Sequence, residues 1–190
     1  MSRGDQSGFE TALVGALARA GLEGGIGTVW LEGDTLRIVG EKGGELAIPA
    51  MQVERIRLVR YSGSRLGTSY EAKIWRKGST EPFLLMPSRP PTGYGLVMKG
   101  FARHIAAVRG IVMRGPGLAT AIVNLLIMGG SVTLLAAGVV LVGVYDGGWG
   151  WWLAAAVAVV LDLLLLASIF RNRWPRRVRN LDELDRELPP

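Results

Sequence analysis

The chain reads as α+β: a small antiparallel β domain closed by one amphipathic helix, then a two-helix transmembrane hairpin. Two observations carry this reading. Residues 118–144 and 151–170 are apolar stretches separated only by a short glycine-rich turn. Each is long enough to cross a bilayer as a helix, which needs roughly 20 apolar residues. Residues 28–86, by contrast, break into short alternating segments divided by Gly, Pro and Asp turn signals. A chain of 190 residues has room for one domain of about 100 residues beside such a hairpin.

The elements follow in order. In residues 1–21, Ser7 and Glu10 stand at capping-box spacing. Phe9, Leu13, Ala16, Leu17 and Ala20 then share one helical face, and Gly21 is a stop, so a short amphipathic helix is expected. A signal peptide is not: Asp5 and Glu10 spoil the basic leader and Arg19 interrupts the apolar run. The cytoplasmic domain spans 22–109. Segments 28–31 and 35–39 flank the acidic turn Glu32-Gly33-Asp34, and residues 42–44 turn into a strand at 45–48. Segment 53–61 places Ile56 and Leu58 on one face and Arg55, Arg57 and Val59 on the other. A loop at 62–67 precedes a strand at 69–76, where Tyr70, Ala72 and Ile74 alternate against Glu71, Lys73 and Trp75. A last strand at 81–86 ends at Pro87, and Pro90 and Pro91 forbid regular structure. From 94 to about 108 the period turns helical, with Val97, Phe101, Ile105 and Val108 on one stripe. Residues 110–117 read as a hinge, with Pro116 suited to the first turn of the span.

Six antiparallel strands followed by one amphipathic helix resemble the pleckstrin-homology-like (PH/GRAM-like) split barrel of bacterial proteins that pair this domain with two membrane spans. The run Leu-Ala-Ile-Pro-Ala-Met-Gln-Val-Glu-Arg-Ile at 46–56, an apolar strand end, a kink and a strand restart, is similar to theirs. The resemblance covers roughly 22–109. It implies two packed sheets plugged at one end by the C-terminal helix, and a binding role. Some members of that family hold phosphoinositides through basic residues around the first hairpin loop. Here that loop is acidic, and the basic residues lie on the fourth and fifth strands: Arg55, Arg57, Arg60, Lys73, Arg76 and Lys77. Glu45, Glu54 and Glu71 are interleaved with them, so mixed cross-strand pairing on a solvated face is expected there.

Charge placement sets the expected topology. The net charge is +6, and its arginines crowd the outer flanks of the hairpin: Arg109 and Arg114 before it, Arg171, Arg173, Arg176, Arg177 and Arg179 after it. The turn between the stretches holds only Asp146. Basic flanks stay cytoplasmic, which places both termini inside a bacterial inner (plasma) membrane protein that crosses it twice. Tyr145, Trp149, Trp151 and Trp152 would anchor the outer interface, and Phe170 with Trp174 the inner one. The seven flanking arginines would contact anionic lipid headgroups rather than nucleic acid. Beyond them, the tail 171–190 turns acidic and spaces Leu181, Leu184 and Leu188 on one helical face.

Asp162 interrupts the second apolar stretch, where an acid costs about 2.5 to 3.5 kcal/mol and demands a partner. Gly117, Asn124, Ser131, Gly138 and Tyr145 recur every seven residues along the first stretch, and Ala154, Ala158 and Asp162 every four along the second. Such small and polar seams are expected to face each other. If the tight turn sets the alignment, Asp162 meets Ser131 and Thr133. If the basic flanks set it, Asp162 meets Asn124, which is preferred because its own amide needs a partner.

Catalytic chemistry finds little support. The chain has no cysteine, and His104 is its only histidine. The run Gly-Ser-Arg-Leu-Gly-Thr-Ser at 63–69 lacks the lysine a phosphate loop requires, and no nucleophile elbow or metal-ligand spacing occurs. No metal or cofactor is expected. The expected function is a non-catalytic binding or scaffolding module at the inner membrane, serving a protein partner or a homo-oligomer. The competing class is a subunit of an ion or proton channel or transporter centred on Asp162.

Overall fold

The computed structural model describes residues 8–64, 67–88, 90–146, 149–186 and 188–189. Those residues form a mixed α+β fold with two sheets and five α-helical segments. The chain divides into two compact units, one made of Met1–Gly115 with Arg176–Pro190, the other of Pro116–Pro175.

The first sheet has the order β1-β2-β3-β4, all antiparallel, with β1 at Phe9–Ala12, β2 at Ile26–Glu32, β3 at Thr35–Gly40 and β4 at Glu45–Pro49. Strict alternation explains β3: Leu36, Ile38 and Gly40 point inward while Thr35, Arg37 and Val39 are half-buried on the other face. On that outer face Arg37 bridges Glu32 and Glu45. The amphipathic helix expected across residues 1–21 is replaced by a strand and a single helical turn, α1 (Ala16–Arg19). Thr11 shows why. It is fully buried, its hydroxyl donates to the Met86 carbonyl at 3.1 Å, and it accepts from the Met86 N–H at 2.9 Å. That long-range clip and the ladder to β2 satisfy backbone groups that a helix would have satisfied locally. Ser7, the expected cap, lies outside the described residues.

The second sheet has the order β7-β6-β5-β8-β9, with β5 at Val53–Ser64, β6 at Gly67–Arg76, β7 at Phe83–Leu85, β8 at Ile111–Arg114 and β9 at Arg176–Arg177. Val53 and Ile56 both reach the core although they are three residues apart. A bulge between Val53 and Arg55 switches the phase of the strand and reconciles them. Between β7 and β8 runs α2 (Tyr94–Ala107), whose buried stripe of Val97, Met98, Phe101, Ala102 and Ile105 faces the core. The segment expected as a hinge at 110–117 contains β8, which pairs in parallel with β5, and β9 then extends the sheet antiparallel to β8. The tail closes the same unit: Leu184 and Leu188 are buried in its core, Asp185 pairs with Lys99, and Glu183 lies 3.3 Å from Arg114.

Two expectations of fold are thereby corrected. The sheets keep separate ladders, and strands added after α2 extend the second one, so the single pleckstrin-homology-like split barrel is not formed. Among the described residues no helix is long and apolar enough to cross a membrane. This overturns the transmembrane hairpin, and with it the two-span inner-membrane placement and the resemblance that implied both. The first apolar stretch is divided: α3 (Leu118–Asn124) gives way to a π turn at Leu125–Gly129 before α4 (Gly130–Asp146) starts. α5 (Trp149–Arg173) follows, with Asp162 standing inside its apolar run. The helices are nonetheless apolar on every side. Val160, Leu161, Leu163 and Leu164 point in successive directions around α5, and all are exposed. That surface needs cover its own helices do not provide.

Tyr94 supplies a test of the core. Its ring packs edge-on against Phe9 at 4.9 Å, and its hydroxyl is buried without a hydrogen-bond partner. Burial, then Glu71 and Tyr70, push its ionisation far above the usual phenol range. An unfolded chain releases this proton near pH 10, so the linked stability is whole below about pH 10 and falls as pH rises above it. Tyr94→Phe is expected to stabilise the fold by about 1 kcal/mol at neutral pH and to flatten the alkaline loss. Denaturant unfolding at pH 7 and pH 10.5, roughly half a unit above the ordinary phenol value, measures both.

Candidate functional site

Among the described residues Asp162 is the one buried carboxylate of the helical unit, 8% exposed. Thr133 donates its hydroxyl to Asp162 Oδ2 at 2.9 Å, while Oδ1 has no partner. The tight-turn alignment is therefore the one adopted. Asn124 lies about 13 Å further along the helix axis from Thr133, and among the described residues it gives Asp162 no hydrogen bond. Ser131 is in α4, but its side chain lies outside the described residues. Of the residues on the expected seams, Ala154, Gly138 and Tyr145 are exposed, while Ala121 and Ala155, outside those seams, are buried. One hydroxyl contact ties two helices together. A proton relay would need a chain of titratable groups, and Thr133 supplies none. Asp162→Asn keeps an acceptor for Thr133 and is expected to change stability by less than about 0.5 kcal/mol, whereas Asp162→Leu loses about 1 kcal/mol. Hydrogen exchange across α4 and α5 distinguishes them, and equal protection in both variants would remove the tie.

The arginines divide more informatively. Arg109, Arg177 and Arg179 line one cleft of about 360 Å³, together with Ala106, Gly110, Val112, Val178 and Leu181. Among the described residues no acidic side chain lines it, and no ion pair engages any of these three arginines. Arg114 is set apart by its pairing with Glu183. Arg176 is exposed in β9, opposite Arg114. The side chains of Arg171 and Arg173 lie outside the described residues.

Local structure explains how Arg109 reaches the cleft. The N–H of Gly110 bonds to the Ile105 carbonyl at 2.8 Å and that of Arg109 to the Ala106 carbonyl at 3.1 Å. These two bonds form a Schellman ending, in which the residue after the cap is left-handed and usually glycine. Here that residue is Arg109, at φ 62°, the one non-glycine with positive φ among the described residues. The conformation costs an L-residue about 1–2 kcal/mol. Glycine instead follows it, because a Cβ on Gly110 would sit 2.4 Å from Ile105 Cγ2. The motif also occupies the carbonyls of Ile105 and Ala106, so they do not face an incoming anion unpaired. Arg177 and Arg179 come from the other side. They are held by the β8–β9 ladder and by the Val178 N–H, which donates to the Val112 carbonyl at 2.9 Å.

Two other clefts are weaker candidates. One of about 470 Å³ includes Arg76 and Lys77, but the Arg76 guanidinium is engaged 4.9 Å over the Phe83 ring. The other, of about 420 Å³ near Glu10 and Thr28, has no cation among its described lining residues. Among the described residues no three His, Asp or Glu side chains gather where they could hold a metal ion. Sequence reading found the basic residues through their density. It missed the strained backbone of Arg109, for which a left-handed arginine leaves no sequence signal, and the β8–β9 pairing that selects the partners. In comparison with known proteins, the chain matches no family model, and no curated protein or solved structure matches it.

Proposed function

We propose that the chain is a non-catalytic binding and scaffolding module, and that the cleft between α2, β8 and β9 is where it grips an oxyanion carried by its partner. The observation that carries this reading is that Arg109, Arg177 and Arg179 all line one cleft in which, among the described residues, no carboxylate stands. Three guanidiniums from two separate elements suit the fork-like recognition of phosphate or carboxylate oxygens. The left-handed Arg109 adds weight, since a glycine there would relieve the backbone and remove the charge.

That same residue makes the test clean. Arg109→Gly is expected to leave thermal stability equal or higher while weakening binding of inorganic phosphate by about tenfold, as titration calorimetry on the full chain would read it. Arg177→Gln is expected to weaken it to a similar extent. Unchanged phosphate affinity in both variants would refute the cleft as the binding site.

A further inference from the structure

A second cationic pair, Arg55 and Arg57, lies on the outer face of the second sheet, and among the described residues no carboxylate pairs with either. On the first sheet Arg37 is held between Glu32 and Glu45. On the second, Arg55 and Arg57 alternate outward on β5, opposite Trp75 and Lys73 on β6 and beside Ile111 and Met113 on β8. None of those four neighbours is an acid. Glu71, on this face, sits opposite Val59 and pairs with Lys73 at 2.9 Å.

Both guanidiniums gather on one indole. Arg55 Cζ lies 4.3 Å and Arg57 Cζ 5.6 Å from the centroid of the Trp75 ring, which is 8% exposed. The Nε atoms of both arginines are buried without a hydrogen-bond partner. Arg57 donates to the Met113 thioether at 3.7 Å, a weak acceptor for a charged group. Burial and the neighbouring Arg55 charge both lower the Arg57 ionisation below the usual guanidinium range. Two like charges are thus held side by side, half out of water, with a ring face as their main compensation.

We infer that Arg55 and Arg57, stacked on Trp75, form a second oxyanion site that takes one doubly charged phosphate-class group bridging both guanidiniums. The indole fixes the two planes, which lowers the entropy lost on binding, and the bridging dianion supplies the counter-charge the sheet lacks. A single carboxylate would neutralise only one of the pair. The site shares no residue with the lining of the Arg109 cleft and stands whether or not that cleft binds.

The experiment uses the full chain carrying Arg109→Gly and Arg177→Gln, so that the first cleft is silent. Titration with inorganic phosphate is followed by the Nε–H resonances of Arg55 and Arg57, assigned by Arg55→Gln and Arg57→Gln. Both resonances are expected to shift with one saturation curve. Either Gln variant should weaken phosphate binding about tenfold, and Arg57→Lys, which keeps the charge, should restore part of it. Acetate should bind about tenfold or more weakly than phosphate. Trp75→Phe, which keeps a ring under the pair, should preserve binding and guards against a folding artefact. The site is overturned if neither resonance moves, if acetate matches phosphate, or if the Gln variants leave the affinity unchanged while unfolding normally.

Discussion

The short antiparallel pairing of Met113 with Arg177 and Arg114 with Arg176 is the contact on which the rest of the first unit depends. It joins the strand that follows α2 to a segment that returns only after the whole of Pro116–Pro175. Four basic or sulfur-bearing side chains meet in that ladder, an unfavourable gathering of like charge unless something offsets it. Glu183 offsets it at Arg114, and Leu184 and Leu188 add apolar burial that holds the segment down. With the ladder in place, Arg177 and Arg179 face Arg109 across one cleft. Without it they would be three unrelated surface arginines.

Local periodicity made much of the first unit legible. Strands β2 to β6 fall near where alternation and turn residues put them, although β5 and β6 run into the loop expected at 62–67. The failures have a common cause. Phe9, Leu13 and Leu17 are spaced by four and imitate a helical face, yet Phe9 lies in a strand fixed by Val29 and by the Thr11–Met86 clip. Ile111–Arg114, between Gly110 and Gly115, reads as a hinge because its partner in β5 is far away in the chain and leaves no local mark. The tail's leucine spacing was visible, but the surface that receives it was not. At the candidate site, charge density announced the arginines, while the choice among them came from strand register.

The helical unit gives a sharper lesson about apolar length. A long run of Leu, Val and Ala specifies that water is a poor solvent for the segment, and nothing in the run specifies how many helices it becomes. The π turn at Leu125–Gly129 divides the first stretch, and the Thr133–Asp162 contact settles which residues of the two helices lie level. That alignment follows from the shortness of the connection, which leaves little freedom to slide, rather than from the charges at the far ends. The exposed leucines and valines that remain mark this unit as one whose surroundings complete it.

Because Leu184 and Leu188 are core residues of the unit that begins near Phe9, vectorial synthesis has a consequence here. A ribosome releases the β strands and α2 first, then the entire helical excursion, and only afterwards the leucines that seal the earlier core. Domains generally fold as units during translation at roughly 5–20 residues per second. For several seconds, then, the nascent N-terminal half carries an unsealed groove where its own tail will later dock, and that interval is when a chaperone would have most to hold.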